Sequence, residues 1–327
     1  MQSIGIDVSK KKLDIAWLQD PDNEKVKPKV FPNDSKGFQA LDRWIQTHVK
    51  MQPSQVRVVM EATGIYHENL AYALHDKGYI VCVVNPAQIH DFRKSLAIRH
   101  KNDRKDSCAI VKFAHAIAPL AWVPEPTEIR LLKALLARIE ALEADIQREE
   151  NRLEKALSTE TSDIVITSIT SVISMLNAER QKLEQQIDDH FDQYPDLKKD
   201  RALLETIPGI GPVVSRMMVS VIRSRTFDNA RQCAAFAGLI PVCYESGSSV
   251  RGRPRLSKAG NPLIRKKLYM AAIVASQFNP DTKSLYQRMV KAGKKPMSAL
   301  GAVMRKLVHI CFGVLKNQTK YQPQGAL

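Results

Sequence analysis

Apolar positions in the first third of the chain fall into short continuous runs separated by helical spacings. Ile4-Gly5-Ile6-Asp7-Val8 and Leu13-Asp14-Ile15-Ala16-Trp17 predict two strands joined by the polar turn Ser9-Lys10-Lys11-Lys12, and residues 27–31 predict a third. Asp34 or Ser35 caps a predicted helix whose Phe38, Leu41, Trp44 and Ile45 share one face. Val56-Arg57-Val58-Val59-Met60 predicts a strand ending at Glu61, residues 70–77 a helix, and Tyr79-Ile80-Val81-Cys82-Val83-Val84 an apolar strand stopped by Asn85-Pro86. A hairpin followed by helix-separated strands predicts a mixed sheet with helices on its faces.

The middle of the chain differs in kind. After Pro124-Glu125-Pro126, the residues Leu132, Leu135, Ile139, Leu142, Ile146 and Leu153 recur at heptad spacing among charged neighbours. A break at residues 158–163 precedes a second helical stretch with Ile169, Ile173, Leu176, Leu183 and Ile187. The pattern fits a helical hairpin packed within one chain and an oligomerising coiled coil equally well. From residue 200 the pattern becomes helix, Gly turn, helix, with Ile207-Pro208-Gly209-Ile210-Gly211-Pro212 as the turn. Such a turn either presents backbone N–H groups to a phosphate at a helix N-terminus or simply joins two packed helices. A Ser/Gly/Arg-rich segment over residues 244–255 is too polar for regular structure, and residues 261–275, 281–292 and 297–315 predict amphipathic helices.

Charge sharpens this picture more than composition does. The 327 residues carry a net charge of +15, and from Arg251 onward there are sixteen Lys and Arg against one acid, Asp281. The first 250 residues are balanced. A neutral body with a basic C-terminal part points to a polyanionic partner, foremost nucleic acid. The basic part has no Trp to anchor it on a membrane surface, and no uninterrupted apolar run reaches the roughly 18 to 20 residues of a spanning helix. Met1-Gln2-Ser3-Ile4 leads straight into a strand, so a cytoplasmic location is expected. The five cysteines are scattered without a CxxC pair, which fits free thiols and no zinc site.

Two groups of residues could carry chemistry. Asp7 sits inside an apolar strand, where a carboxylate needs a cation, and Glu61 ends another strand. Asp103 and Asp106 stand three apart, on one helix face. Convergent carboxylates of this kind suit magnesium or manganese, and such ions stabilise both the attacking and the leaving oxygen of a phosphodiester. Asp14 is a rival acid in the first strand region, but Ile15 and Trp17 around it lead it to be expected at solvent. The second group is Ser246, Ser248 and Ser249 with Gly247 and Arg251, Arg253 and Arg255 nearby. It is either a phosphate-binding loop or a serine nucleophile with guanidinium support, and no neighbouring His points to a Ser-His-Asp hydrolase.

The blocks Gly5-Ile6-Asp7-Val8-Ser9-Lys10, Met60-Glu61-Ala62-Thr63-Gly64, Lys101-Asn102-Asp103-Arg104-Lys105-Asp106, Ile207-Pro208-Gly209-Ile210-Gly211, Phe236-Ala237-Gly238-Leu239-Ile240-Pro241, Tyr244-Glu245-Ser246-Gly247-Ser248-Ser249-Val250-Arg251-Gly252 and Ser257-Lys258-Ala259-Gly260, in this order, resemble the DEDD transposases of the insertion-sequence family "one-ten". The resemblance runs over about residues 3 to 317. It implies an α/β plus all-α chain in three parts: a RuvC-like, ribonuclease-H-type domain over residues 1–120, a coiled-coil region over 121–197 and a helical C-terminal transposase domain over 198–327. It implies that Asp7, Glu61, Asp103 and Asp106 hold Mg2+ and that Ser246 is the nucleophile. Gly209, Gly211, Arg251, Arg253, Arg255, Lys258, Arg265, Lys266 and Lys267 are the candidate nucleic-acid contacts. It further implies donor and target double-stranded DNA and a structured bridge RNA as partners, and dimers that pair into a tetramer. Asn102, where the family commonly has Thr, lies beside the acids without replacing one. Two other readings remain: a metal-dependent, structure-selective nuclease of the junction-resolvase type, and a nucleic-acid-binding protein without catalysis.

Overall fold

The computed structural model describes residues 1–20, 25–62, 64–95, 103–242, 245–246, 250–251, 255–257 and 259–323, with the backbone alone for 103–105, 245–246 and 250–251. The chain divides into two units, Met1–Pro124 and Glu125–Leu327.

In the first unit, alternation along β1 (Gln2–Val8) sends Ile4, Ile6 and Val8 to one face and Gly5 and Asp7 to the other. β2 (Lys12–Asp20) pairs antiparallel to it, with Gly5 opposite Ala16 and Asp7 opposite Asp14. The turn between them is tied by the Ser9 backbone N–H and hydroxyl, both donating to the Lys12 carbonyl at 3.0 Å. β3 (Lys25–Pro32) is antiparallel to β2. β4 (Val56–Glu61) and β5 (Ile80–Val84) extend the sheet in parallel on the other side of β1, giving the order β3-β2-β1-β4-β5.

Each face of the sheet is covered by helices. α1 (Ser35–Val49), capped by Asp34 accepting from the Gly37 N–H at 2.7 Å, and α2 (Glu68–Asp76) bury Leu41, Trp44, Ile45, Leu70 and Leu74 against Ile4, Ile6 and Met60. On the opposite face, α3 (Pro86–Ser95) and α4 (Asp103–Ile117) bury Ile89, Ile110, Phe113 and Ala114 against Val59, Cys82 and Val84, while Val111 packs on Ala16 and Leu18. The sequence reading took Asn85-Pro86 only as the end of a strand. The structure starts α3 there: the Asn85 side chain accepts from the Ala87 N–H at 2.9 Å and Pro86 opens the first turn.

α4 lies unusually close to the sheet. A Cβ on Gly5 would meet the Ser107 carbonyl oxygen at 2.7 Å and collide with the Val111 backbone nitrogen. Only glycine permits this approach.

The second unit begins with α5 (Thr127–Leu157) and α6 (Asp163–Gln193), which pack on each other as a helical hairpin. The base of the hairpin, Ile129, Leu132, Ile139, Ile187 and Phe191, belongs to the same core as the helices that follow, and Leu157, Ile164 and Met175 are exposed. Those helices are α7 (Pro195–Glu205), α8 (Pro212–Arg223), α9 (Ala230–Phe236), α10 (Pro262–Phe278), α11 (Pro280–Lys291) and α12 (Pro296–Asn317). By length and composition α12 could cross a membrane, yet over half of its most apolar stretch is buried in this core, and Arg305 and Lys306 interrupt it. The segment expected to be irregular forms two short antiparallel ladders: β6 (Pro241–Val242) pairs with β9 (Arg255–Leu256), and β7 (Glu245–Ser246) with β8 (Val250–Arg251). Strand pairing satisfies backbone groups that a polar sequence alone leaves open.

Buried polar links close the second unit. Fully buried Asp200 accepts from Arg223 Nε at 2.5 Å and from Gln318 Nε2 at 2.8 Å, tying α7 and α8 to the end of α12. Tyr321 donates through its hydroxyl to Asp281 at 2.8 Å.

Replacing Gly5 by Ala forces α4 off β1. The expected loss is about 2 kcal/mol of stability or more, in the range of core overpacking, read by urea unfolding; wild-type stability in Gly5→Ala would contradict the close approach.

Candidate active site

The parallel register of β1 and β4 runs through Ile6 opposite Met60. Asp7 and Glu61 are the next residues along, at the carboxyl ends of neighbouring strands. Both lie on the face of Gly5 and Val59, which α3 and α4 cover. α4 brings Asp106 to this side. Ile110, Val111 and Ala114 pack on the sheet and the Ser107 backbone lies against Gly5, one turn from Asp106 near the start of the helix. Asp106 is buried, with Arg93 Nη1 of α3 at 2.6 Å from its carboxylate. The Asp103 side chain lies outside the described residues.

Asp14 does not face solvent, as the sequence reading had it. It is 8% exposed, sits across from Asp7 on the α4 side of β2, and pairs with Lys12 Nζ at 3.1 Å. The apolar neighbours Leu13 and Ile15 point to the other face, which is why local pattern misplaced it.

Carboxylate oxygens are the donors that hard divalent cations prefer, and Asp7, Glu61 and Asp106 lie on one face of the sheet. Among the described residues, no three His, Cys, Asp or Glu side chains are grouped so that they could hold a metal ion. The Arg93 guanidinium brings positive charge to Asp106.

The candidate nucleic-acid contacts separate into distinct environments. Gly209 has a φ of +98°, and a Cβ there would meet the Ala275 side chain at 2.7 Å, so this glycine serves the packing of the turn on α10. Gly211 precedes α8 with open space around it. Arg255 and Lys266 are exposed. Arg265 donates to the Gly260 carbonyl at 2.9 Å, and Lys267 is ion-paired with Glu140 of α5 at 2.8 Å, so both are engaged inside the unit. Arg253 and Lys258 lie outside the described residues, and for Ser246 and Arg251 only the strand pairing is described, Ser246 opposite Val250 and Arg251 opposite Glu245.

A basic cluster was missed by the sequence reading. His309 on α12 feels the charges of Arg305 and Lys306 of its own helix and of Arg231 of α9. Burial first, and then these three cations, push its pKa below the usual histidine value. Its Nε2 is buried without a hydrogen-bond partner among the described residues. The i, i+1, i+4 spacing on α12 was legible, but the approach of α9 was not.

Two family models match the chain, one described as a transposase over residues 4–161 and one as a transposase of the IS116/IS110/IS902 family over residues 201–287. The pilin gene-inverting protein of Moraxella bovis is 30% identical over 320 residues, covering 97% of each chain. The transposase for insertion sequence element IS1111A of Coxiella burnetii is 25% identical over 298 residues, covering 81% of this chain and 79% of its own. Among solved structures, Thermus-type RuvC, titled "T. thermophilus RuvC in complex with Holliday junction substrate", aligns with 36% of this chain and 94% of its own at 14% identity and a TM-score of 0.27. The class is therefore a transposase, an enzyme that recombines DNA. The chain belongs to the IS116/IS110/IS902 family.

The direction of the His309 shift fixes a pH dependence. Above about pH 6.5 neither the folded nor the unfolded chain protonates this ring; below it the unfolded chain takes up the proton first, so stability falls as pH falls toward the lower folded value. Urea unfolding at about pH 7.5 and about pH 5.5 should show a smaller acid-side loss in His309→Gln than in wild type. Equal losses would remove the assignment.

Proposed function

We propose that this transposase is an RNA-guided recombinase that cuts donor and target DNA through a covalent phosphoserine link and rejoins them. The observation that carries the metal half of this reading is the placement of Asp7 and Glu61 at the ends of adjacent parallel strands, on the face where α4 presents Asp106. Asp7, Glu61, Asp103 and Asp106 would hold Mg2+, which supplies charge stabilisation at the phosphate oxygens. A RuvC-like, ribonuclease-H-type first unit is supported by the β3-β2-β1-β4-β5 order, with an antiparallel hairpin leading into parallel strands, and by the family.

In this reading the Ser246 hydroxyl loses its proton as Oγ bonds to phosphorus. One bridging P–O bond of the DNA strand breaks, and the leaving deoxyribose oxygen takes up a proton. The phosphoester energy is kept in the Ser246–DNA link, so a hydroxyl from the other strand reverses the exchange without an external energy source. Arg251, Arg253 and Arg255 offer guanidinium groups for the charge that develops. A relative named for inverting a pilin gene fits cutting followed by rejoining.

The excess of positive charge after Arg251 supports binding of both DNA and a structured bridge RNA. If pairing with that RNA selects the DNA, the protein reads mainly backbone and shape. Dimers that pair into a tetramer would draw acids and serine from different subunits, and the exposed apolar side chains Leu157 and Ile164 at the tip of the α5–α6 hairpin and Met175 further along α6 are compatible with a coiled-coil contact.

Purified protein with Mg2+, element-derived RNA, and donor and target DNA provides the test. Wild type should form a covalent protein–DNA adduct and recombinant product; Ser246→Ala should form neither, and Asp7→Asn should lose more than about 100-fold in rate, beyond the usual loss from a supporting residue. Cleavage without an adduct, indifferent to Ser246→Ala, would mean that the acids cut alone, as in a junction-resolving nuclease.

A further inference from the structure

α10, α11 and α12 leave between them an open cleft of about 390 Å3, which the chemistry described so far does not use. That volume lies within the roughly 300 to 1,000 Å3 of small-ligand sites. Ile273 of α10 and Leu300 of α12 supply apolar walls, and Tyr286 of α11 lines the cleft while packing against the core of the unit. Gln277 and Gln287 line it from α10 and α11, and neither side-chain amide has a hydrogen-bond partner among the described residues. Lys283 adds a positive charge, and among the described residues no acid lines the cleft. The Ser276 hydroxyl donates to the Ile273 carbonyl at 2.7 Å, so the two amides, the Tyr286 hydroxyl and the Lys283 ammonium are the groups left for a ligand. The surface beside the cleft is apolar. Phe278, next to Gln277, is 68% exposed, Val274 and Met270 are exposed one and two turns earlier on α10, and Met297, one turn before Leu300, is 64% exposed. Large apolar side chains grouped in this way mark a binding surface.

We propose that this cleft binds an unpaired nucleotide of a nucleic-acid strand, with the base lying against Tyr286, its edge read by Gln277 and Gln287, and its phosphate held by Lys283. The inference rests on the reading above that nucleic acid is the partner of the second unit. A base has an apolar face and an edge that carries both hydrogen-bond donors and acceptors. A side-chain amide offers both as well, whereas a carboxylate only accepts and an ammonium only donates. The phosphate needs a cation and tolerates no acid beside it, which is the charge the cleft offers. In a duplex the bases cover one another's faces, so the ligand is a loop, a bulge or an opened strand. Phe278 beside the cleft gives the neighbouring base a second platform. Stacking of this kind accepts every base, and the two amides add a preference among them. A recombinase meets such a nucleotide in two places, a loop of RNA and a DNA strand opened during exchange, and both bring the same base and phosphate.

The experiment measures binding of the full-length protein to fluorescein-labelled single-stranded RNA, single-stranded DNA and duplex DNA of one sequence by fluorescence anisotropy, for wild type, Tyr286→Leu, Tyr286→Phe and the double variant Gln277→Leu/Gln287→Leu. Tyr286→Leu should weaken binding of a single strand by about ten-fold, within the span of one lost base stack, and leave duplex affinity within about two-fold of wild type. Tyr286→Phe keeps the ring and should match wild type. The double variant should level the differences in affinity that wild type shows among single strands of one base each. Loss on the RNA arm identifies an RNA loop as the source of the nucleotide, and loss on the single-stranded DNA arm identifies an opened DNA strand. Circular dichroism confirms folding, and because both glutamines are exposed, the double variant carries the test if Tyr286→Leu fails to fold. Affinities that fall equally for single strands and duplex, or not at all, together with an unchanged base preference in the double variant, overturn the proposal. A changed sedimentation mass of Tyr286→Leu with nucleic-acid binding intact also overturns it and makes the cleft a contact between copies of the chain. The absence of any nucleic-acid binding by wild type overturns the nucleic-acid reading itself and this inference with it.

Discussion

The contact on which the first unit depends is the backbone approach of α4 to β1 at Gly5. A helix normally stands off a sheet by the length of the side chains between them, and here one of those side chains is a single hydrogen. That approach places the buried face of α4, Ser107, Ile110, Val111 and Ala114, directly on the strands, and with it the carboxylate-bearing turn that includes Asp106. The same register puts Asp7 and Glu61 on adjoining strand ends. One small residue thus decides whether acids from three elements occupy one face.

Bringing carboxylates together has an electrostatic consequence, because each buried negative charge needs a positive partner. The structure supplies these from within the unit, Arg93 for Asp106 and Lys12 for Asp14. Neither cation lies beside its acid in a recognisable motif: Arg93 comes from a separate helix, and Lys12 lies at the start of the strand that carries Asp14. These ion pairs offset the cost of enclosing the carboxylates within the unit.

The second unit meets the opposite demand, holding many positive charges on a helical core. Its buried links, Asp200 with Arg223 and Gln318 and Asp281 with Tyr321, lock the last helix and the residues after it to α7, α8 and α11. Part of the positive charge is spent internally, as at Lys267 with Glu140 and Arg265 with the Gly260 carbonyl. The rest faces outward at Arg255 and Lys266 or gathers around His309. Membership of a transposase family gives this outward charge a natural partner in DNA.

Strand alternation and heptad spacing in the sequence were enough to predict the hairpin of β1 and β2, the strands β4 and β5, the capped α1, two helices in the middle of the chain, and the Gly turn before α8, but not whether α5 and α6 pack on each other. Those features are local, set by which side chains share a face within one element. The motif blocks pointed to Asp7, Glu61, Asp103, Asp106 and Ser246 by resemblance. Tertiary structure alone decided that Asp14 is buried, that Asn85-Pro86 starts a helix whose Arg93 reaches Asp106, that Gly209 packs on Ala275 while Gly211 stays open, and that the charge of Arg231 on α9 acts on His309. The physical reason is the same in each case. Periodicity tells which residues lie on one side of a helix or strand, but burial, ion pairing and charge crowding depend on what a distant segment lays against that side.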